Sequence, residues 1–125
     1  MNRVDYFKSV LAAAAESGHI EVIELLLQHG AQLKDSGAIV LAAEEGQVDM
    51  IRFLLKKGAD INEIGVEDKI DERETAEMGT ALHKAIVGGH EGVVRLLLDE
   101  GADTNSKDIQ ERTPLALARQ RGKRR

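Results

Sequence analysis

Three segments of this chain can be laid over one another in fixed register, and that self-similarity constrains the fold more than any other property. Each segment ends in Gly-Ala followed by a polar residue, at Gly30-Ala31-Gln32, Gly58-Ala59-Asp60 and Gly101-Ala102-Asp103. Upstream of each glycine lies an apolar run: Val22-Ile23-Glu24-Leu25-Leu26-Leu27, Met50-Ile51-Arg52-Phe53-Leu54-Leu55 and Val93-Val94-Arg95-Leu96-Leu97-Leu98. Ahead of the runs stand Gly18-His19, Gly46-Gln47 and Gly89-His90. A fourth copy opens at Thr113-Pro114-Leu115-Ala116-Leu117-Ala118 and reaches Gly122, 33 residues after Gly89. A period of this size marks a repeat array, in which one unit buries its apolar face only against its neighbours.

Composition narrows the choice of unit. Hydrophobic residues make up 42% of the 125, but aromatics only 2%, so the core has to be built from Leu, Ile, Val and Ala. That suits thin helices in close contact better than a sheet sandwich. In each unit a helix of small residues is followed by one of larger residues. Thr80 stands as N-cap before Ala81-Leu82-His83-Lys84-Ala85-Ile86-Val87, and Thr113-Pro114 puts proline where its missing N–H costs nothing. Gly89 and Gly122 break the first helix. Residues 91–99 form a second, with Val94, Leu97 and Leu98 on one face, and Gly101 closes it as a left-handed cap. The polar stretch from Ala102 to Asp108 is an exposed connection. The chain divides into units 5–34, 35–62, 78–110 and a partial unit 111–125 within one domain, with an acidic insertion at 63–77.

These features resemble the ankyrin repeat, whose pattern is a Thr-Pro-Leu-His opening, a Gly-His break, a Val-Val-x-Leu-Leu-Leu second helix and a Gly-Ala-Asp-x-Asn exit. Thr80-Ala81-Leu82-His83, Gly89-His90, Val93 to Leu98 and Gly101-Ala102-Asp103-Thr104-Asn105 follow it nearly letter for letter. The resemblance covers roughly residues 5–122. It implies an all-α solenoid of stacked antiparallel helix pairs with protruding hairpin-like loops.

The departures are as informative. From Gly18 to Gly46 is 28 residues and from Gly46 to Gly89 is 43, where the family period is 33. The first exit, Leu33-Lys34-Asp35-Ser36-Gly37, should therefore be stunted and the second loop should carry the surplus. Neither Ser9-Val10-Leu11-Ala12 nor Gly37-Ala38-Ile39-Val40 supplies the opening histidine, so those first helices are expected to rely on alanine packing alone. At the N-terminal end, Asp5-Tyr6-Phe7-Lys8 is read as an extension of the first helix.

Several kinds of chemistry can be set aside. The absence of cysteine excludes disulfides, thiolate zinc sites and cysteine nucleophiles, and fits a reducing compartment. No run approaches the roughly 18 apolar residues of a membrane span, and Met1-Asn2-Arg3-Val4-Asp5 lacks a signal-peptide pattern, pointing to cytoplasm or nucleus. Gly88-Gly89 is a helix break and not a phosphate cradle. His19, His83 and His90 recur at repeat positions and read as rings bridging backbone groups of adjacent turns, with His29 solvated near a helix end. The net charge of -5 lies within 63–77, where seven acids face two bases, but that stretch lacks the alternating ligands and central glycine of a calcium hand. Arg119, Arg121, Lys123, Arg124 and Arg125 make the C-terminus basic, read as a polar cap, while missing aromatics and an acidic domain argue against nucleic acid.

What remains is a recognition surface. The resemblance implies a non-catalytic, cofactor-free module, monomeric by itself, that binds another protein through its concave helix face and loop tips. Carried over by position, the concave face includes Glu16, Ser17, Glu44, Glu45, Val87, Gln120 and Arg121. The loop candidates are Asp60, the stretch from Glu63 to Glu77 with Glu67 and Asp71, and Lys107, together with Asp35, Asn62, Thr104, Ser106, Asp108 and Gln110. An alternative is a metal- or ligand-dependent regulator built around the 63–77 insertion. The family also implies possible asparaginyl hydroxylation at Asn62 and Asn105, against the simpler role of asparagine in shaping a turn.

Overall fold

The first helix, α1 (Arg3–Ser17), runs almost unbroken through Ala12-Ala13-Ala14-Ala15, residues that lose no side-chain entropy in a helix. It ends where Gly18 adopts φ +79. The N–H of His19 then reaches back to the carbonyl of Ala14 at 2.9 Å, so the chain turns into α2 (Ile20–Gln28) with its last helical carbonyls satisfied. The same bond recurs from Gln47 to Ala42 and from His90 to Ala85, each at 2.9 Å. It joins α3 (Ala38–Glu44) to α4 (Val48–Lys56), and α5 (Ala81–Gly88) to α6 (Glu91–Asp99). The seventh helix is α7 (Pro114–Gly122). The computed structural model describes residues 3–34, 36–63, 79–107 and 111–122, with side-chain surroundings from Val10 to Arg119, and the elements among them are all helical.

The recurrent Gly-Ala has a physical cause. After each second helix the glycine takes positive φ, and the alanine N–H closes on a carbonyl five residues back: Ala31 to Leu26, Ala59 to Leu54, Ala102 to Leu97, all within 2.9–3.0 Å. Glycine reaches that backbone region without a Cβ penalty. The alanine that follows is buried at Ala31 and half-buried at Ala59 and Ala102.

First helices form one row, α1 against α3, α3 against α5 and α5 against α7. Each second helix packs on its own first helix, and α4 also meets α6. Ala14, Ala42 and Ala85 share one repeat position and are all buried, so the row packs closely at an atom-poor contact. Around them lie Leu11, Ile39 and Leu82 of the first helices and Ile23, Met50, Ile51, Leu54, Val93 and Leu97 of the second. Each fully buried aliphatic side chain of this kind contributes about 1.5–3 kcal/mol of transfer free energy.

Two expectations about these helices need correction. The buried face of α6 is Val93, Leu96 and Leu97, whereas Val94 is half-buried and Leu98 exposed. The true face follows the contact with α4 as well as with α5, which rotates it by about one residue from the face set by the helix pair alone. Second, α3 does not survive on alanine packing alone. Its leading N–H groups are met by side chains: Gly37 N–H donates to Glu63 Oε2 at 2.6 Å and Ala38 N–H to Ser36 Oγ at 3.2 Å. Glu63, the first residue of the acidic stretch, is therefore a buried cap and not a loop tip.

The opening of α5 is as the sequence suggests. Thr80 is its N-cap, and Thr80 and His83 form a reciprocal capping box. At α7, Ala116 N–H donates to Thr113 Oγ1 at 3.2 Å. The connection between α2 and α3 spans residues 29–37 and is shorter than that between α6 and α7, residues 100–113.

Candidate functional site

The histidines and their counterparts show how adjacent units are locked. Nε2 of His83 faces the carbonyl of Arg112 at 2.8 Å and so carries the ring proton. Nδ1 is then an acceptor, receiving Thr80 N–H at 3.1 Å and lying 2.8 Å from Thr80 Oγ1. One buried ring thus caps α5 and holds the approach to α7. Nε2 of His90 donates to the carbonyl of Glu44 at 2.9 Å, and Nε2 of Gln47 donates to the carbonyl of Glu16 at 3.0 Å. These are one bond repeated: the residue after the break glycine reaches back to the end of the preceding first helix. His19 occupies the same position but is exposed and makes no such bond among the described residues, which corrects the expectation that its ring bridges adjacent turns. His29 is exposed at the C-terminal end of α2, as expected.

The locking bonds add a steric reason for glycine at two positions. A Cβ at Gly46 would lie 2.7 Å from His90 Nδ1, and one at Gly88 would lie 2.6 Å from His90 Cδ2 and 3.3 Å from the Glu44 carbonyl. Gly88 is thus the seat of the His90 ring. No motif in the sequence assigns it that role; only the meeting of adjacent units reveals it.

The same bonds fix the ends of the first helices, where the candidate concave residues stand. Glu16, Ser17, Glu44 and Glu45 are exposed and Val87 is half-buried, at equivalent positions along the row. Two of the locked carbonyls belong to Glu16 and Glu44 themselves, so their backbone is held while their carboxylates face solvent. The side chains of Gln120 and Arg121 lie outside the described residues. Arg119 is exposed at the repeat position where Ala15 and Ala43 are buried.

At the loops, Asp60 Oδ1 accepts Asn62 N–H at 2.9 Å and Asp103 Oδ1 accepts Asn105 N–H at 2.8 Å, two copies of one aspartate-built turn. Asn62 Oδ1 then accepts Asp103 N–H at 2.7 Å and ties the second loop to the third. Asp60, Asn62, Thr104, Asn105 and Lys107 are exposed and Ser106 is half-buried. Asp35, Glu67, Asp71, Asp108 and Gln110 lie outside the described residues, as does most of the 63–77 stretch.

Other features do not converge on chemistry. Among the described residues no group of three or more His, Asp or Glu is placed to hold a metal ion, and no helix is long and apolar enough to cross a membrane. A concavity of about 270 Å³ between Arg52, Leu55, Lys56 and Glu100 lies on α4 and the end of α6, away from the candidate face. Lys57 sits 5.7 Å from the Phe53 ring centroid, and Arg95 pairs with Glu91 at 2.7 Å, both solvent-facing contacts of small value.

Helix pairs locked side by side, with polar groups held outward at regular intervals, define an α-helical repeat array built to present a surface. The chain belongs to the ankyrin repeat family: the pattern described as Ankyrin repeats (3 copies) matches residues 2–65 and 63–124. A comparison with curated proteins finds no match. Ankyrin repeats are in general protein–protein interaction modules and generally non-catalytic.

Proposed function

We propose that this chain is a non-catalytic module that captures a partner protein through the first-helix ends and loop tips, acting as one domain in units 5–34, 35–62, 78–110 and 111–125. The observation that carries this reading is the pairing of locked backbone with free carboxylate at Glu16 and Glu44. With the backbone already fixed, binding has to order only the side-chain torsions, which lowers the ordering cost and favours recognition. The acidic end, Glu16, Glu44 and Glu45, is complementary to a partner segment bearing basic groups, while Val87 and Lys107, with Gln120 and Arg121, meet apolar or acidic ones. Asp60 adds an exposed acid at the second loop, and Glu67 and Asp71, outside the described residues, are proposed as further contacts from the sequence alone. A chain monomeric by itself, in the cytoplasm or nucleus, is the setting proposed.

The double variant Glu44→Lys/Glu45→Lys tests this. Partner capture should weaken by an order of magnitude or more, because mispaired charges cost several kcal/mol across an interface, with the melting temperature nearly unchanged. A shift in melting temperature with capture intact contradicts it. The alternative, a metal- or ligand-dependent regulator at 63–77, gains no support from Glu63, whose carboxylate is committed to the Gly37 N–H. Heat of binding to calcium, magnesium or zinc that disappears on deleting residues 64–76 would favour that alternative. If asparaginyl hydroxylation occurs, Asn105 is the more open of the two candidates, since the side-chain oxygen of Asn62 is engaged. A gain of one oxygen in the mass of protein from native cells reads it out.

A further inference from the structure

Asn62 and Asn105 occupy the same repeat position but are held differently. The side-chain oxygen of Asn62 accepts Asp103 N–H at 2.7 Å, and the N–H of the following residue, Glu63, donates to the carbonyl of Asp60 at 3.1 Å. At Asn105 neither safeguard exists. Its side-chain amide has no hydrogen-bond partner among the described residues, and neither has the backbone N–H of Ser106. The residue after Asn105 is also small, whereas Glu63 is bulky and buried.

We propose that Asn105–Ser106 is a site of intramolecular self-modification, converting Asn105 to aspartate and isoaspartate while the bond between the loops preserves Asn62. The chemistry needs only water. The Ser106 backbone nitrogen gives up its proton and attacks Asn105 Cγ, forming a new C–N bond. The Cγ–Nδ2 bond breaks and ammonia leaves, carrying that proton, to give a five-membered imide. Water then opens the imide at either carbonyl. One route yields aspartate; the other yields isoaspartate, whose backbone passes through the former side chain and is longer by a methylene. No oxidant or reductant enters, and a neutral amide becomes a carboxylate.

At Asn62 the same attack is blocked twice. The nucleophilic nitrogen is bound to the Asp60 carbonyl, and rotation of the amide toward it breaks the bond to Asp103. Both hydrogen bonds have to open together, which makes the reactive arrangement at least about tenfold rarer than at a free amide. The new carboxylate at position 105 adds a negative charge two residues from Asp103 and two from Lys107. Its effect on a bound partner rests on the interaction reading above; the conversion itself does not.

The test follows the full chain during prolonged incubation at neutral to mildly alkaline pH, with peptide mapping that resolves Asn, Asp and isoAsp at both positions. A parallel sample is held unfolded in urea. In the folded chain Asn105 is expected to convert at least about tenfold faster than Asn62, and this ratio is expected to narrow in urea, where only the size of the following residue separates the two sites. Asn62 converting as fast as Asn105 in the folded chain, or a ratio unchanged by unfolding, overturns the proposal. Ser106→Pro, which removes the attacking N–H, should abolish isoaspartate at 105 in both samples; its persistence would also overturn it.

Discussion

His19, Val22 and Leu25 repeat, residue for residue and in register, His90, Val93 and Leu96, yet the two sets have different surroundings. In the third unit the ring binds the Glu44 carbonyl, Val93 is 1% exposed and Leu96 is 9% exposed. In the first the ring has no such bond, Val22 is 41% exposed and Leu25 is 55% exposed. The three positions carry identical residues although the four between them differ, and α6 packs on α4 of the preceding unit, so the difference is assigned to the neighbour: burial at these positions belongs to the joint between units. That is how a quasi-one-dimensional array is stabilised.

The largest test of the contrast is a matched truncation. Leu96→Ala should cost about 2–4 kcal/mol in urea unfolding, as for a buried leucine, whereas Leu25→Ala should stay within about 0.5 kcal/mol. Equal losses would break the comparison. Next in size is His83→Ala, which removes a capping ring and leaves the Arg112 carbonyl without its bond from Nε2; about 2–3 kcal/mol is expected, against almost none for His19→Ala. Gly46→Ala should cost about 1–2 kcal/mol for its left-handed backbone and more for the His90 ring beside it. Combined with His90→Ala, the loss should be smaller than the sum of the two by about 0.5–1 kcal/mol, because the clash is removed with the ring; strict additivity would show that Gly46 does not touch it. The smallest contrast is at the loops. Asn62→Ala should cost about 1 kcal/mol and Asn105→Ala nearly nothing, since only the first holds another loop.

Much of this was legible from residue order. The Gly-Ala and Gly-His breaks, the Thr80 cap, the second-helix runs and the left-handed glycines are local features, governed by interactions within a few residues, and they fell where spacing put them. Contacts between units were less accessible. Glu63 reads as part of an acidic run because its partner, Gly37, lies 26 residues away. Gly88 reads as a helix break because the Glu44 carbonyl, which holds the His90 ring beside it, belongs to the preceding unit. The face of α6 was displaced for the same reason: a helical wheel sees one packing partner, and α6 has two. At the candidate surface, Glu16, Ser17, Glu44 and Glu45 could be located by register with the glycines, but the anchoring of two of them by Gln47 and His90 depended on a bond across units. The partner's identity is not written in such positions, because recognition in this fold rests on grafted surface residues.

Amide hydrogen exchange along α2 and α6 tests most directly the claim that order comes from the neighbouring unit. The two helices share the His-x-x-Val-x-x-Leu pattern and equal length, but only α6 has a described unit stacked on its leading edge. Slower exchange across α6 than across α2, with the α3 and α5 amides slowest of all, is the expected result. Equal protection of α2 and α6, or faster exchange in α6, would contradict it.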